Sequence, residues 1–294
     1  MLRIAVLNNE WVELRLQWYG YLDKYFNSNW KPKEILVSYK DGKIRIYITF
    51  EKDVILRKPG HIMGIDINFN NVTYTIVNMS EELVSMGVIL FNGLNRALAR
   101  RVIAEKIERR YSRKWRFVKG IREAIKRLGR RARNILTDSC HYISKRIVEI
   151  AKEYKALIVL ENLNKLKVGA NGSRGFNKKL SLWTYRRIQS YIHYKALIEG
   201  LSVTYVNPRN TSKTSPIEGK LEFINYRRVK LPNRYIITRD IIASWNIALK
   251  GLKLYTRDVG SRGSVETPKA LEEDVAPNPM KGKPVRVPLV SKIT

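Results

Sequence analysis

The chain has one cysteine, Cys140, in 294 residues. That excludes an intramolecular disulfide and any metal site built from cysteine alone. Within the apolar helical stretch TDSCHYISKRIVEIA, a lone thiol reads as a small core residue rather than a nucleophile. Long hydrophobic runs are missing too: none approaches the roughly 20 residues needed to span a bilayer. The opening MLRIAVLNNEWVEL lacks a basic start followed by an apolar stretch, so no leader is expected. A cytoplasmic location and no membrane partner follow as expectations. Acidic residues are scarce, 26 Asp and Glu against 56 Lys and Arg, for a formal net charge of +30. Charge of one sign at that density repels itself unless an acidic partner lies against it, and nucleic acid is the commonest such partner. The hydrophobic fraction of 44% is ordinary and excludes wholesale disorder. Few Gln and much Lys, Arg and Ile lean towards a thermophilic source.

Residues 11–54 read as strands. WVELRLQW alternates, with Val12, Leu14, Leu16 and Trp18 on one side. EILVSY and IRIYITF flank Asp41-Gly42, a pair that tolerates the positive φ of a hairpin turn. Three more strands are expected in 62–91, with a turn at Asn68-Phe69-Asn70-Asn71. Residues 92–155 read as long helices broken at Gly120 or Gly129. From Arg96 to Arg133 they hold sixteen Lys or Arg and three acids, with Tyr111, Trp115 and Phe117 interleaved. A solvated face with its aromatics packed inward accounts for the rings but not for the sign balance, because solvated helices mix signs in i,i+4 pairs. A helical pair facing nucleic acid is the better reading. Its candidate phosphate contacts are Arg100, Arg101, Arg109, Arg110, Arg113, Lys114, Arg130 and Arg131. ALIVL at 156–160 suits a strand covered on both faces. A glycine-bearing loop (KVGANGSRG), a helix near 181–199 capped by Gly200, a strand LSVTYVN, a loop-rich 207–239 and a helix from 240 to about Gly251 follow.

Three acids stand out against this background. Asp66 sits in the otherwise apolar IMGIDI, Glu161 directly follows ALIVL, and Asp240 opens DIIASWNIALKGL. Each has an ordinary explanation: a strand-end turn, a strand terminator and a helix cap or first-turn acid. Yet a carboxylate in an apolar strand is costly unless paired or bound to metal. Phosphodiester hydrolysis calls for such groups, since two divalent ions about 3.5–4 Å apart activate water and stabilise both oxygens of the displacement.

GIDINFNNVTYTIV resembles the first RuvC motif, IVLENLNKLK the second and RDIIASWNIALKG the third. HYKALIEGLSVTYVNPRNTSKT is similar to the segment leading into the zinc ribbon of TnpB proteins. These are the OrfB-type transposases of insertion sequences, relatives of type V CRISPR effectors. The likeness runs from about residue 35 to 252 and includes GRRARNILTDSCHYISKRIVEIAK. It implies an α/β, ribonuclease-H-like (RuvC) domain that cuts DNA, with Asp66, Glu161 and Asp240 as catalytic ligands of Mg²⁺, two ions expected. It also implies a guide RNA from the transposon end, so that base pairing reads sequence and the protein grips backbones. The expected organisation is a small β-barrel-like module over 1–58, shortened at its amino end, then a nuclease domain over 59–256. That domain carries the basic helical insertion 92–155 and a degenerate zinc-ribbon loop 207–238, and 257–294 is a flexible tail.

Departures from the family pattern accompany the resemblance. Ser215 and Glu218 stand where the family has its first cysteine pair, and no second pair follows; a tetrahedral zinc site cannot be built from them. No zinc is expected, and the loop is expected to be held by its own packing. Ile242 replaces an asparagine of the third motif, although Ala243 and Asn246 match. Lys213 is a further candidate phosphate contact. Asp66 also arrives early, as in a chain that starts partway through its β module. The competing reading is a truncated relative that binds RNA or DNA without cutting it.

Overall fold

The computed structural model describes residues 2–5, 10–15, 20–40, 42–163, 182, 184–261 and 289–293. It divides into two compact units, Met1–Ile55 with Pro279–Thr294, and Leu56–Asn278.

In the smaller unit, β1 (Leu2–Ala5) pairs antiparallel with β2 (Trp11–Leu14). A 3-10 turn at Gly20–Leu22 then leads into the one-turn helix α1 (Asp23–Phe26), where strand was expected throughout 11–54. Leu22, Tyr25 and Phe26 have i, i+3, i+4 spacing, which a helical turn brings to one side. Leu22 is fully buried, and the rings of Tyr25 and Phe26 lie 5.2 and 5.1 Å from that of Phe50. Leu16 and Trp18 fall outside the described residues. β3 (Lys31–Lys40) and β4 (Lys43–Glu51) form the expected hairpin, with Gly42 at φ +73°; Asp41 is not among the described residues. Pro32 is tolerated because β3 is the edge of the order β13-β4-β3. β13 (Leu289–Ile293) pairs with β4, so a tail loose throughout 257–294 is corrected; 262–288 lie outside the described residues. Ile46, Ile48 and Phe50, alternate residues of β4, form the core with Leu22. Among the described residues these strands make two separate sheets, not one closed barrel.

The larger unit is built on a five-stranded mixed sheet of order β7-β6-β5-β8-β9. β5 (His61–Ile67), β6 (Asn71–Asn78) and β7 (Leu83–Leu90) form an antiparallel meander. β8 (Ala156–Glu161) and β9 (Val203–Val206) extend it in parallel on the other side of β5. Between β7 and β8 come α2 (Gly93–Tyr111), a 3-10 turn (Ser112–Arg116) and α3 (Lys119–Glu153). The break expected at Gly120 or Gly129 falls instead at 112–118, where Ser112 takes φ 44°; both glycines lie within α3, at the modest cost of an isolated helical glycine. α4 (Tyr185–Ile198) ends before Gly200, whose φ of +74° suits the expected cap.

Alternation assigns the two faces of the sheet. Met63, Ile65, Ile158 and Leu160 pack with Cys140, Ile143 and Ile147 of α3 and Ile188 and Ile192 of α4. Ile62, Leu157 and Val159 pack on the opposite side with Ile242, Trp245, Ala248 and Leu252. Those last residues belong to α5 (Arg239–Ser261), which runs past Gly251 rather than stopping there. Gly251 serves packing instead: a Cβ there would collide with the Val159 side chain. Gly64 does the same from β5, since its Cβ would collide with the α5 backbone at Ser244 and Ala248. Ile242, the departure from the third motif, is a fully buried core residue.

Residues 207–239 are loop-rich as expected, and within them lies a small antiparallel sheet, β10 (Glu222–Phe223), β11 (Arg228–Lys230) and β12 (Ile236–Thr238). Val229 and Leu231 enter the core under α5. The Arg239 guanidinium lies 6.0 Å from the Phe223 ring and 5.9 Å from the Tyr226 ring, and it donates to Ser212. Ser215 is half-buried and Glu218 exposed. The segment KVGANGSRG falls outside the described residues.

Candidate functional site

The parity that sorts the core also sorts the acids. On β5, Ile62, Gly64 and Asp66 share the α5 side; on β8, Leu157, Val159 and Glu161 do. The parallel register ends with Gly64 opposite Val159, and Asp66 and Glu161 each lie two residues beyond that pair, at the same end of neighbouring strands. Asp240 lies in the first turn of α5, above the same strand ends. It is not the cap: the Thr238 hydroxyl accepts from the Ile241 amide at 3.4 Å and takes that place. The helix N-terminus favours an acid at Asp240 electrostatically.

All three acids are half-buried, and the charges of Glu161 and Asp240 act on Asp66. Burial first, then the negative charges of Glu161 and Asp240, raise the Asp66 carboxyl from 3.8 to about 7, against a hydrogen bond from Asn68. That bond runs from Asn68 Nδ2 to Asp66 Oδ2 at 2.9 Å. Burial also raises Glu161, opposed by a hydrogen bond from Thr211 and the charge of Lys250. Thr211 Oγ1 donates to Glu161 Oε1 at 2.7 Å, and Gln189 donates to the Glu161 backbone carbonyl at 2.8 Å. Among the described residues, no group of three His, Cys, Asp or Glu forms a ready-made cage for a metal ion. Mg²⁺ binds through one or two carboxylates plus water or phosphate oxygens rather than a closed protein cage. An all-oxygen donor set with a negative charge excess fits such an ion.

A clamp from α5 fixes the loop over this site. Asn246 Nδ2 donates to the carbonyls of Thr211 and Thr214, both at 2.8 Å. One turn on, Lys250 donates to the carbonyls of Asn207 and Arg209 at 3.0 and 2.6 Å. Thr211 and Lys250 escape a reading of the sequence because their roles depend on partners 50 and over 40 positions away, whereas Asn68, two residues past Asp66, lies in the turn the sequence marks. The i,i+4 pairing of Asn246 with Lys250 beside the third motif was the available signal.

The remaining candidates lie elsewhere. Arg100, Arg101, Arg109 and Arg110 on α2, Arg113 and Lys114 in the turn, and Arg130 and Arg131 on α3 are all exposed on the helical hairpin. Lys213 is exposed on the clamped loop. Cys140 is fully buried, burial raises its thiol, and its Sγ donates to Thr184, as befits an inert core residue. Among the described residues no helix is long and apolar enough to cross a membrane.

Comparison with known proteins gives consistent relatives. Residues 185–247 match the family described as Cas12f1-like, TNB domain. A TnpB-like protein of Methanocaldococcus jannaschii is 33% identical over 252 residues, covering 84% of this chain and 86% of the relative. The CRISPR-associated endodeoxyribonuclease Cas12f2 of a Micrarchaeota archaeon is 35% identical over 83 residues, 27% of this chain and 15% of that protein. Among solved structures, the protein of a Cas12f1–sgRNA–target DNA complex aligns with a TM-score of 0.48 and 22% identity, over 73% of this chain and 55% of that one. The chain therefore spans about half the length of that solved relative.

Proposed function

Because the chain belongs to the TnpB-like protein family, we propose that its larger unit is a RuvC-like nuclease of ribonuclease-H fold that cuts DNA under an RNA guide. The observation that carries this is the convergence of Asp66 from β5, Glu161 from β8 and Asp240 from α5, near enough that the latter two charges add to burial in raising the Asp66 carboxyl. The order β7-β6-β5-β8-β9, a meander extended by two parallel strands, supports the fold. The guide is taken to derive from the end of the mobile element, as in the family.

Asp66, Glu161 and Asp240 would hold Mg²⁺, which when bound supplies activation of water and neutralisation of phosphate charge. The chain's own groups prepare that site. Asn68 orients Asp66, and Thr211 orients Glu161 through a charge-assisted bond. Lys250 anchors the overlying loop while adding positive potential. The exposed cations of the hairpin grip phosphate without reading bases. Zinc has no part in this reading, and the small sheet keeps its place through Val229, Leu231 and Arg239.

Thr211→Val tests the orienting role at almost constant volume. Divalent-ion affinity is expected to fall about 10- to 100-fold, as for other groups that orient a ligand. Isothermal titration with Mn²⁺ reads this directly, and unchanged affinity counts against the role.

The decisive experiment for the function uses the protein co-purified with RNA transcribed from its own locus. Guide-matched DNA should be cut with Mg²⁺, remain intact in EDTA, and be bound in both. Binding of RNA or DNA without cutting is the second reading. Binding without Mg²⁺-dependent cutting would establish it.

A further inference from the structure

The hairpin formed by α2 and α3 is an arm. The last buried residue of α2 is Ala97 and the first of α3 is Ala132, so beyond Leu94, Ala97, Ala132 and Leu136 nothing in it is fully buried. At about 1.5 Å per residue, α2 spans about 28 Å. Its tip holds no acid between Glu108 and Glu123, while Arg109, Arg110, Arg113, Lys114, Arg116 and Lys119 are exposed there. Such a seam stabilises the arm weakly while the cations repel one another, so a polyanion is the partner that relieves it.

Of the aromatics at the tip, Trp115 is half-buried, but Tyr111 and Phe117 do not pack inward as a solvated-face reading requires. Phe117 is 85% exposed, with Tyr111 and Val118 also open to solvent. Arg116 lies 5.2 Å over the Trp115 ring and Arg110 5.8 Å over the Tyr111 ring, leaving Phe117 as the uncovered ring among cations. An aromatic face beside phosphate-binding cations is what an unpaired base stacks on. The base of the arm adjoins the turn that follows Asp66: the Phe91 amide donates to the Asn70 carbonyl at 2.9 Å, and Phe69 packs with Leu94.

We propose that Phe117 stacks on an unpaired base of the single DNA strand that runs from the carboxylate site along this arm. The identity of that strand rests on the nuclease reading; the stacking itself is measured without cutting. The full-length protein is titrated, in EDTA and without guide, into a single-stranded oligodeoxynucleotide carrying 2-aminopurine at successive positions. Fluorescence quenching at one or two positions is expected, with affinity about 5- to 100-fold weaker in Phe117→Ala. Phe117→Trp should restore both. Since Phe117 buries almost nothing, melting should be unchanged in either variant. Equal quenching by Phe117→Ala, or failure of Trp to restore it, overturns the stacking. Quenching confined to an RNA oligomer of the same sequence overturns the assignment to DNA.

Discussion

Asp66→Asn is expected to abolish Mg²⁺-dependent cleavage while making the metal-free protein more stable at pH 8. On the proposed role of Asp66 in holding Mg²⁺, its loss removes several kcal/mol of transition-state stabilisation, about three to four orders of magnitude in rate. The stability gain comes from proton linkage. The Asp66 carboxyl titrates near 7 in the folded protein against an ordinary value of 3.8. Below about pH 4 both folded and unfolded chains are protonated and nothing is lost. Between about 4 and 7 the folded state keeps a proton that the unfolded state releases, so stability falls by up to about 1.4 kcal/mol per pH unit. Above about 7 the loss is complete. Asparagine carries no charge to desolvate or repel and can still accept from Asn68. After discounting for solvent reaching a half-buried site, the gain at pH 8 is roughly 2–4 kcal/mol, a rise of roughly 4–12 °C in Tm for a domain of this size. Calorimetry in EDTA at pH 5 and pH 8 should show the two proteins converging at the lower pH. Mg²⁺ should stabilise the wild type preferentially. Identical melting at both values would remove the claim that the three charges share one site.

Gly64→Ala is expected to damage both stability and cutting although it adds one methyl group. The new Cβ meets the α5 backbone at Ser244 and Ala248, and a helix backbone cannot rotate aside as a side chain can. Overpacking usually costs 1–3 kcal/mol, occasionally more; with no soft neighbour the loss here is about 3 kcal/mol or above, roughly 6–12 °C in Tm. α5 must lift from β5 and take Asp240 with it, so cleavage should fall beyond what unfolding explains. Gly60→Ala is the control, because its Cβ would meet nothing within 4 Å. Similar melting of the two variants would count against close approach as the reason for glycine at 64.

The central elements were legible because period and burial agree there. IMGIDI, VTYTIV and ALIVL are apolar enough to mark strands covered on both sides, and each lies in the sheet. Elsewhere local signals misled for identifiable reasons. Gly251 looks like a helix stop, yet close packing on Val159 calls for glycine there and α5 continues. Gly120 and Gly129 look like breaks, while the reversal falls in SRKWRFV, which carries neither glycine nor proline. The turn at Gly20–Phe26 reflects packing against Phe50 across the sequence rather than any local preference.

The sequence alone determined the family, the basic character and the three acids, because these rest on residue identity and order, which need no coordinates. Tertiary structure decided what surrounds them. Strand parity and the register of β5 on β8 turn Asp66 and Glu161 to the α5 side. Asn246 and Lys250 hold the loop that brings Thr211 to Glu161. The raised Asp66 carboxyl follows from that convergence: desolvation and like-charge repulsion depend on distance and burial, and neither is written in the order of residues.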